Sequence, residues 1–183
     1  MTLHSLSADR RLAEHRDGVE PGEALGWFRA LPPVGPDQMI GRWRGSGLPT
    51  GSPLDGLLES YGWYGKEFVD AETVHPLLFG TRSGPRPVDP ALIPVSVLRD
   101  RPGLAHSRAA RLAFRTVRPL LTTTKPKARL RAVEHHGILT AAMVYDALPI
   151  IDVFKQVSLD VRLGLMDLRG LPDPFFFVLR RES

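Results

Sequence analysis

The carboxy-terminal third of the chain repeats a short apolar pattern that predicts a run of β-strands. Five β-like segments follow one another at residues 127–136, 138–145, 150–157, 161–167 and 173–180. Short turns rich in glycine, proline, serine or aspartate separate them, and no stretch with helical periodicity intervenes. This spacing is typical of an antiparallel meander in which each strand pairs with the next. We therefore expect a mainly β protein.

A second β pattern lies near the start, where Trp43 sits between arginines that are themselves flanked by glycines. Neighbouring side chains of a strand point to opposite faces, so Trp43 is expected inside and Arg42 and Arg44 outside. Glycines let a strand bend sharply and let a ring approach the backbone closely. The pattern predicts the first strand of a closed sheet, with Trp43 buried at its closed end. A further strand is expected at residues 65–69.

Three stretches have the apolar spacing of helices. The first covers residues 21–31, between Pro21 and a proline pair, and the second covers residues 54–61, after a serine and a proline suited to a helix start. The third covers residues 108–121, and the side chains expected on its apolar face are Ala109, Leu112, Ala113, Val117 and Leu120. Proline is dense between residues 70 and 100, which predicts only one or two short strands there.

Length and composition favour one soluble domain over residues 1–183, with residues 1–20 expected to be flexible. The chain has no cysteine, which excludes disulfides, thiolate metal sites and cysteine nucleophiles and fits a reducing compartment. Its amino terminus lacks the order of a secretion signal, and no apolar run approaches the ~20 residues of a membrane span. We expect a cytoplasmic protein without integral membrane association.

Positive charge is concentrated in residues 82–131, where twelve Lys or Arg residues stand against Asp89 and Asp100. Such a stripe can bind phosphates or an anionic surface. Few aromatic residues interleave with these cations, and no helix-turn-helix or finger spacing is present. We therefore expect a solvated basic face and no nucleic-acid partner.

The Trp43 motif resembles the signature of the calycins, which include lipocalins, fatty-acid-binding proteins and nitrobindin-like proteins. In that family the tryptophan packs under an arginine from the last strand. Here the chain ends with three phenylalanines, Val178, Leu179 and two arginines. The resemblance implies an antiparallel lipocalin-like β-barrel with a few short helices, in which Arg180 or Arg181 packs on Trp43 and Arg180 is expected to have this structural role. In fatty-acid-binding proteins a lid lies where the predicted helix at 54–61 falls.

Longer motifs resemble the GXWXG family and the domain of unknown function, DUF4334, that usually follows it. They are Gly41-Arg42-Trp43-Arg44-Gly45, Leu54-Asp55-Gly56-Leu57-Leu58, Tyr61-Gly62-Trp63-Tyr64-Gly65-Lys66, Met143-Val144-Tyr145-Asp146, Pro149-Ile150 and Phe175-Phe176-Phe177. The resemblance places a GXWXG part at residues 23–82 and a meander part at residues 120–182 of one domain. That family has no settled function, so the resemblance implies a fold more than an activity.

We expect the barrel interior to bind a small hydrophobic or amphipathic ligand, since apolar walls provide affinity and a few polar groups provide orientation. The aromatic Trp63 has two interpretations, as core and as cavity lining. The expected ligand-binding residues are Leu57, Leu58, Tyr61, Trp63, Met143, Tyr145, Phe154 and Phe176.

An enzyme of the same shape stays open as an alternative, because a dry cavity with one tyrosine, one carboxylate and one histidine suffices for a proton-transfer cyclase, isomerase or lyase. The candidate catalytic residues are Tyr145, Asp146, Asp152 and His136. No nucleophile elbow, phosphate loop, dinucleotide fingerprint or zincin helix is present, and we favour binding over catalysis.

The pair His135-His136 raises a lesser alternative, a haem-binding barrel like the nitrobindins. Adjacent strand residues point to opposite faces, so the two rings do not chelate one ion without distortion. The nitrobindin histidine comes late in the chain, and the last strand here has none. We expect no metal and no cofactor. A homodimer is one option for the oligomeric state.

Overall fold

A computed structural model describes residues 17–182 of the chain, together with residues 10, 12, 14 and 15. The expectation of a flexible segment at residues 1–20 falls largely outside this set.

The described residues form an antiparallel sheet of nine strands. The strands are β1 (Gly41–Gly47), β2 (Trp63–Phe68), β3 (Val74–Phe79), β4 (Arg86–Pro87), β5 (Ala128–His135), β6 (Ile138–Tyr145), β7 (Ile150–Ser158), β8 (Val161–Leu168) and β9 (Phe175–Arg181). Their order is β2-β1-β9-β8-β7-β6-β5-β3-β4, and an additional pairing of β2 with β3 closes the sheet into a ring. The predicted mainly β, antiparallel fold is confirmed, and the meander runs without interruption from β5 to β9.

Helices lie before β1 and in connections between strands. They are α1 (Pro21–Ala30), α2 (Leu57–Ser60), α3 (Val95–Asp100), α4 (Pro102–Ala105) and α5 (Arg108–Val117), with 3₁₀ turns at Pro36–Met39, Pro90–Leu92 and Arg118–Leu121. Helix α2 is shorter than predicted because Gly56 adopts a left-handed conformation with φ of 70° just before it. Helix α5 tightens into a 3₁₀ turn next to Pro119, which has no N–H to continue the helix.

The two faces of the sheet pack against different partners. Helix α1 lies on the outer face, where Trp27 and Phe28 pack in one apolar cluster with side chains such as Phe176. A second apolar cluster fills the inside of the ring and includes Phe175 and Phe177. Both faces of β9 are therefore apolar, and this explains three consecutive phenylalanines. The expectation that Phe176 lines the interior is wrong, because alternation places it under α1.

Trp43 lies at the closed end of the ring and is completely buried. Its indole N–H donates to the Met39 carbonyl at 2.7 Å. The Arg181 guanidinium lies 4.2 Å from the ring centroid and that of Arg162 lies 5.0 Å away. Burial against a last-strand arginine is confirmed, but the arginine is Arg181. Arg180 is exposed, because it follows the inward-facing Leu179 and so points outward.

Two glycines of the first two strands make room for the aromatic residues. A Cβ atom at Gly45 would overlap the Trp63 indole, and a Cβ atom at Gly65 would overlap the Trp43 backbone carbonyl. Gly65 also has a φ of 151°, which side-chain-bearing residues rarely adopt. These glycines therefore hold β1 against β2 and seat Trp63 flat on β1, where its ring forms part of the interior wall.

Candidate functional site

A cavity of about 660 Å³ lies inside the ring, at the end opposite Trp43, beneath the helices that connect β4 to β5. This volume is within the range of small-molecule sites. Its lining is largely apolar and includes Leu57, Leu58, Tyr61, Trp63, Leu77, Phe79, Ile93, Leu104, Ala110, Ala113, Phe114, Leu121, Leu148, Ile150, Met166, Phe175 and Phe177. A closed sheet thus supplies the floor and walls, and helical connections supply the cover.

Five of the eight predicted ligand-binding residues line this cavity: Leu57, Leu58, Tyr61, Trp63 and Tyr145. Met143 and Phe154 are completely buried in the interior cluster but lie outside the cavity lining. They form the packed core below it. Phe176 lies on the outer face, as described above. Whether the five lining residues contact a ligand stays a prediction.

The cover of the cavity differs from the predicted lid. Helix α2 contributes Leu57 and Leu58, but most of the cover comes from residues 92–121. The density of proline in this stretch led to a prediction of turns, and helices α3 and α4 were not predicted. Proline is favoured in the first turn of a helix as well as in turns, so it does not distinguish the two. In α5 the small residues Ala109, Ala110 and Ala113 face the cavity and leave it open.

Phe114 is the main aromatic residue of the cover, and the predicted apolar face of α5 omitted it. Its ring centroid lies 5.0 Å from that of Tyr61 and 5.1 Å from that of Phe79. The Tyr61 hydroxyl in turn donates to the Ala105 carbonyl at 2.7 Å. Leu112, which was assigned to the apolar face, is 66 % exposed. The aromatic contacts of Phe114 and Tyr61 therefore join the cover to the sheet.

Three buried polar side chains converge on the inner wall of the cavity: Lys66, Tyr145 and Asp152. The Lys66 Nζ lies 2.7 Å from the Asp152 Oδ2 and 3.5 Å from the Tyr145 hydroxyl. Nζ also donates to the Pro76 carbonyl at 3.2 Å. The Lys66 and Asp152 side chains are 3 % and 1 % exposed, so the ion pair is almost fully removed from water.

Burial shifts the titration of this group in a defined direction. Desolvation raises the pKa of Asp152 above its usual value of 3.8, and the Lys66 ammonium offsets part of that shift. Burial also raises the pKa of Tyr145 well above 10.0, and the Asp152 charge adds to it. The tyrosine is therefore a neutral hydrogen-bond donor at ordinary pH.

Two buried polar atoms near the ion pair have no hydrogen-bond partner among the residues that the structure describes. They are the Asp152 Oδ1, an acceptor, and the Trp63 indole N–H, a donor. The Lys66 Nζ lies 5.6 Å from the Trp63 ring centroid, so both atoms belong to the same region of the cavity wall. An unpaired buried polar atom is unfavourable by roughly 1 to 3 kcal/mol. Asp152 and Trp63 both line the cavity, so its wall contains two side chains that each have an unpaired polar atom.

The other two catalytic candidates lie away from the cavity. Asp146 is exposed at the end of β6, where the Arg129 Nε donates to its Oδ1 at 2.9 Å. His136 is exposed in the turn between β5 and β6, and its Nδ1 lies 3.4 Å from an Arg29 nitrogen. The structure therefore brings together Tyr145 and Asp152 but separates them from Asp146 and His136.

Lys66 is the functional candidate that sequence reasoning missed. Strict alternation from Trp63 points Lys66 outward, whereas alternation from Phe68 points it inward. The pairing of β2 with β3 shifts register on both sides of Gly65, and this irregularity turns Trp63, Lys66 and Phe68 all inward. A glycine within the strand was the one available signal, since such a residue often marks a bulge.

The basic segment contributes to the outside of the cover. Arg82, Arg111, Arg115 and Arg118 border a second hollow of about 770 Å³, which shares Tyr61 and Phe114 with the cavity wall. Four of the twelve cations in the segment predicted as a solvated face therefore lie around this outer hollow, next to the cavity.

Among the residues that the structure describes, no group of three or more His, Cys, Asp or Glu side chains has an arrangement that could hold a metal ion. None of the helices in this part of the chain is long and apolar enough to cross a membrane.

Comparison with known proteins agrees with the motifs. Residues 26–84 match the family described as GXWXG protein, and residues 126–181 match a domain of unknown function, DUF4334. A crystal structure of a protein from Thermomonospora curvata is 31 % identical in sequence and superposes with a TM-score of 0.70. The alignment covers 97 % of this chain and 99 % of that one. The search of curated proteins gave no match.

Proposed function

We propose that this chain, which has a GXWXG match followed by a DUF4334 match, binds a small hydrophobic or amphipathic molecule inside its closed sheet. The observation that carries the proposal is the apolar cavity of about 660 Å³, with Lys66, Tyr145 and Asp152 on its inner wall. Apolar walls with a few convergent polar groups are the usual form of a small-molecule site.

The design of the sheet supports this proposal. A closed antiparallel sheet with a buried tryptophan beneath last-strand Arg181 fits a calycin-like barrel, in which one end is packed and the other holds a ligand. The helices over the cavity are short, and α5 has no fully buried large side chain. A cover of this kind can separate from the sheet more easily than a strand can. The lack of cysteine fits a cytoplasmic location.

The test is a titration with an apolar dye whose fluorescence rises in a dry site. We expect saturable binding to the wild type and at least tenfold weaker binding to Ala113→Trp, since the indole would occupy the cavity. Thr116→Trp is the matched control, because Thr116 is exposed on the same helix and does not line the cavity. Equal binding to both variants would contradict a site in this cavity.

Catalysis is the second candidate, and the free Asp152 Oδ1 favours it. A carboxylate with a raised pKa in a dry site is suited to accept a proton from a carbon acid, while the neutral Tyr145 hydroxyl donates to the adjacent oxygen. Tyr145→Phe separates the two functions. A binder loses about tenfold in affinity at most, whereas an enzyme loses about 10² to 10⁴ in turnover with little change in substrate binding.

A further inference from the structure

We propose that the cavity selects neutral molecules that carry a hydroxyl group, that is, apolar alcohols, over carboxylates, amines and ethers of the same skeleton. This inference rests on the proposed binding function and names the chemical class of its ligand. It follows from two properties of the inner wall: its charge balance and the hydrogen-bonding groups that it leaves unpaired.

The charge balance disfavours a charged ligand. Lys66 and Asp152 already neutralise one another at 2.7 Å, and each is almost completely buried. A ligand carboxylate would place a second negative charge beside Asp152, and a ligand ammonium would place a second positive charge beside Lys66. Like charges interact strongly in a site without water, and each ion would also lose its hydration. A neutral group avoids both penalties.

The unpaired atoms favour a group that both donates and accepts. The Asp152 Oδ1 needs a donor, and the Trp63 indole N–H needs an acceptor. The Tyr145 hydroxyl, which receives a hydrogen bond from Lys66, keeps its own proton available for a ligand oxygen. A ligand hydroxyl can donate to the carboxylate and accept from Tyr145 or Trp63. An ether or ketone oxygen only accepts, so the carboxylate oxygen would stay unpaired.

The rest of the cavity fits an apolar skeleton attached to that hydroxyl. Beyond the inner wall, its lining is dominated by leucine, isoleucine, alanine and aromatic side chains. Arg115 and Arg118 border the outer hollow and do not line the cavity. They provide a competing site for an anionic head group, and the experiment must distinguish the two ends.

The experiment compares matched ligands in competition with the apolar dye. The first set is 1-decanol, decyl methyl ether, decylamine, decanoate and decane at pH 8, and the second is the rigid pair borneol and camphor. We expect each alcohol to bind at least about tenfold more tightly than its ether, ketone or charged counterpart, the effect of one hydrogen bond to a charged acceptor.

The double variant Lys66→Met/Asp152→Leu assigns the preference to the inner wall. Replacing a buried ion pair by apolar residues of similar volume is usually tolerated, so the variant should fold. We expect it to bind decane at least as well as the wild type and to lose the advantage of the alcohols. Asp146→Asn is the control, because it removes an exposed carboxylate of a neighbouring strand and should leave the preference unchanged.

The outcomes separate this inference from the binding function. If the ligands bind but the alcohols have no advantage, or if decanoate binds most tightly, the inference is overturned and the binding function stands. Loss of decanoate binding on Arg115→Gln and Arg118→Gln would then locate the anion in the outer hollow. If neither the ligands nor the dye bind, the proposed function fails together with the inference. An alcohol preference that survives in the double variant also overturns it.

Discussion

Each end of the ring interior has a cation next to an aromatic ring, but the surroundings of the two cations differ. At the closed end the half-buried Arg181 lies on the completely buried Trp43 ring and donates to the Ile40 and Gln38 carbonyls at 2.6 and 2.7 Å. At the cavity end Lys66 pairs with Asp152 beside empty space and unpaired polar atoms. The first arrangement stabilises the fold. The second retains polar groups that packing alone does not need, which is typical of a binding site.

Replacing each interior tryptophan by alanine should produce the largest difference in stability between the two ends. Trp43→Ala removes a completely buried ring from a packed site and should lower the free energy of unfolding by about 3 to 5 kcal/mol. Trp63→Ala should have a smaller effect, because its ring borders a cavity that already exists. Denaturant unfolding of both variants is the measurement. An equal or larger loss for Trp63→Ala would contradict the division between a packed end and a binding end.

The buried ion pair should show a strongly non-additive response. Asp152→Leu alone leaves the Lys66 charge uncompensated and should lower the free energy of unfolding by roughly 3 kcal/mol. Lys66→Met/Asp152→Leu should lie within about 1 kcal/mol of the wild type, or above it. The same unfolding experiment measures both. A double variant as unstable as the single variant would show that the pair is needed for stability and not retained for the site.

The raised pKa of Asp152 predicts a pH dependence of stability with a definite sign. Between the usual value of 3.8 and the higher folded value, the folded protein binds more protons than the unfolded chain. The contribution of Asp152 to the free energy of unfolding therefore falls as the pH rises through that window and is constant above it. The slope is at most about 1.4 kcal/mol per pH unit. The free energy of unfolding is measured in urea from pH 4 upward for the wild type and for Lys66→Met/Asp152→Leu. The difference between the two should fall as the pH rises, and a rise would contradict the prediction.

The cover should control exchange of the ligand more than stability. Phe114→Ala removes ring contacts with Tyr61 and Phe79 and should raise the dissociation rate of a bound dye about tenfold. Because Phe114 is only half-buried, the loss in unfolding free energy should stay below about 2 kcal/mol. Stopped-flow dilution measures the rate. Leu112 is exposed on the same helix, so Leu112→Ala should change neither the dissociation rate nor the free energy of unfolding.

The regions of the molecule also differ in how much of their structure could be predicted from the sequence. The meander from β5 to β9 and the burial of Trp43 followed from strand alternation and regular turn spacing, because these signals are local and period-two. The cavity cover did not follow, since prolines between residues 85 and 102 suit both turns and first helical turns. Pattern reasoning treated all of them as turns.

Only part of the candidate site was predicted, because local patterns do not show where strand pairing becomes irregular or where a strand ends. Tyr145 was expected among the ligand-binding residues, and its side chain lies in the interior cluster and lines the cavity. Lys66 was missed because the irregular pairing around Gly65 changes which face it occupies. Asp146 and His136 were grouped with Tyr145 by closeness along the chain or across the hairpin, but strand ends and turns point them to solvent.

Native mass spectrometry of the protein purified from its own host tests the central claim most directly. We expect the wild type and Thr116→Trp to carry a small molecule of defined mass that dissociates on denaturation. Ala113→Trp, in which the indole fills the cavity, should lack it. The account would be contradicted if the same molecule accompanied Ala113→Trp in equal amount, or if the wild type carried none and bound no apolar ligand added to it.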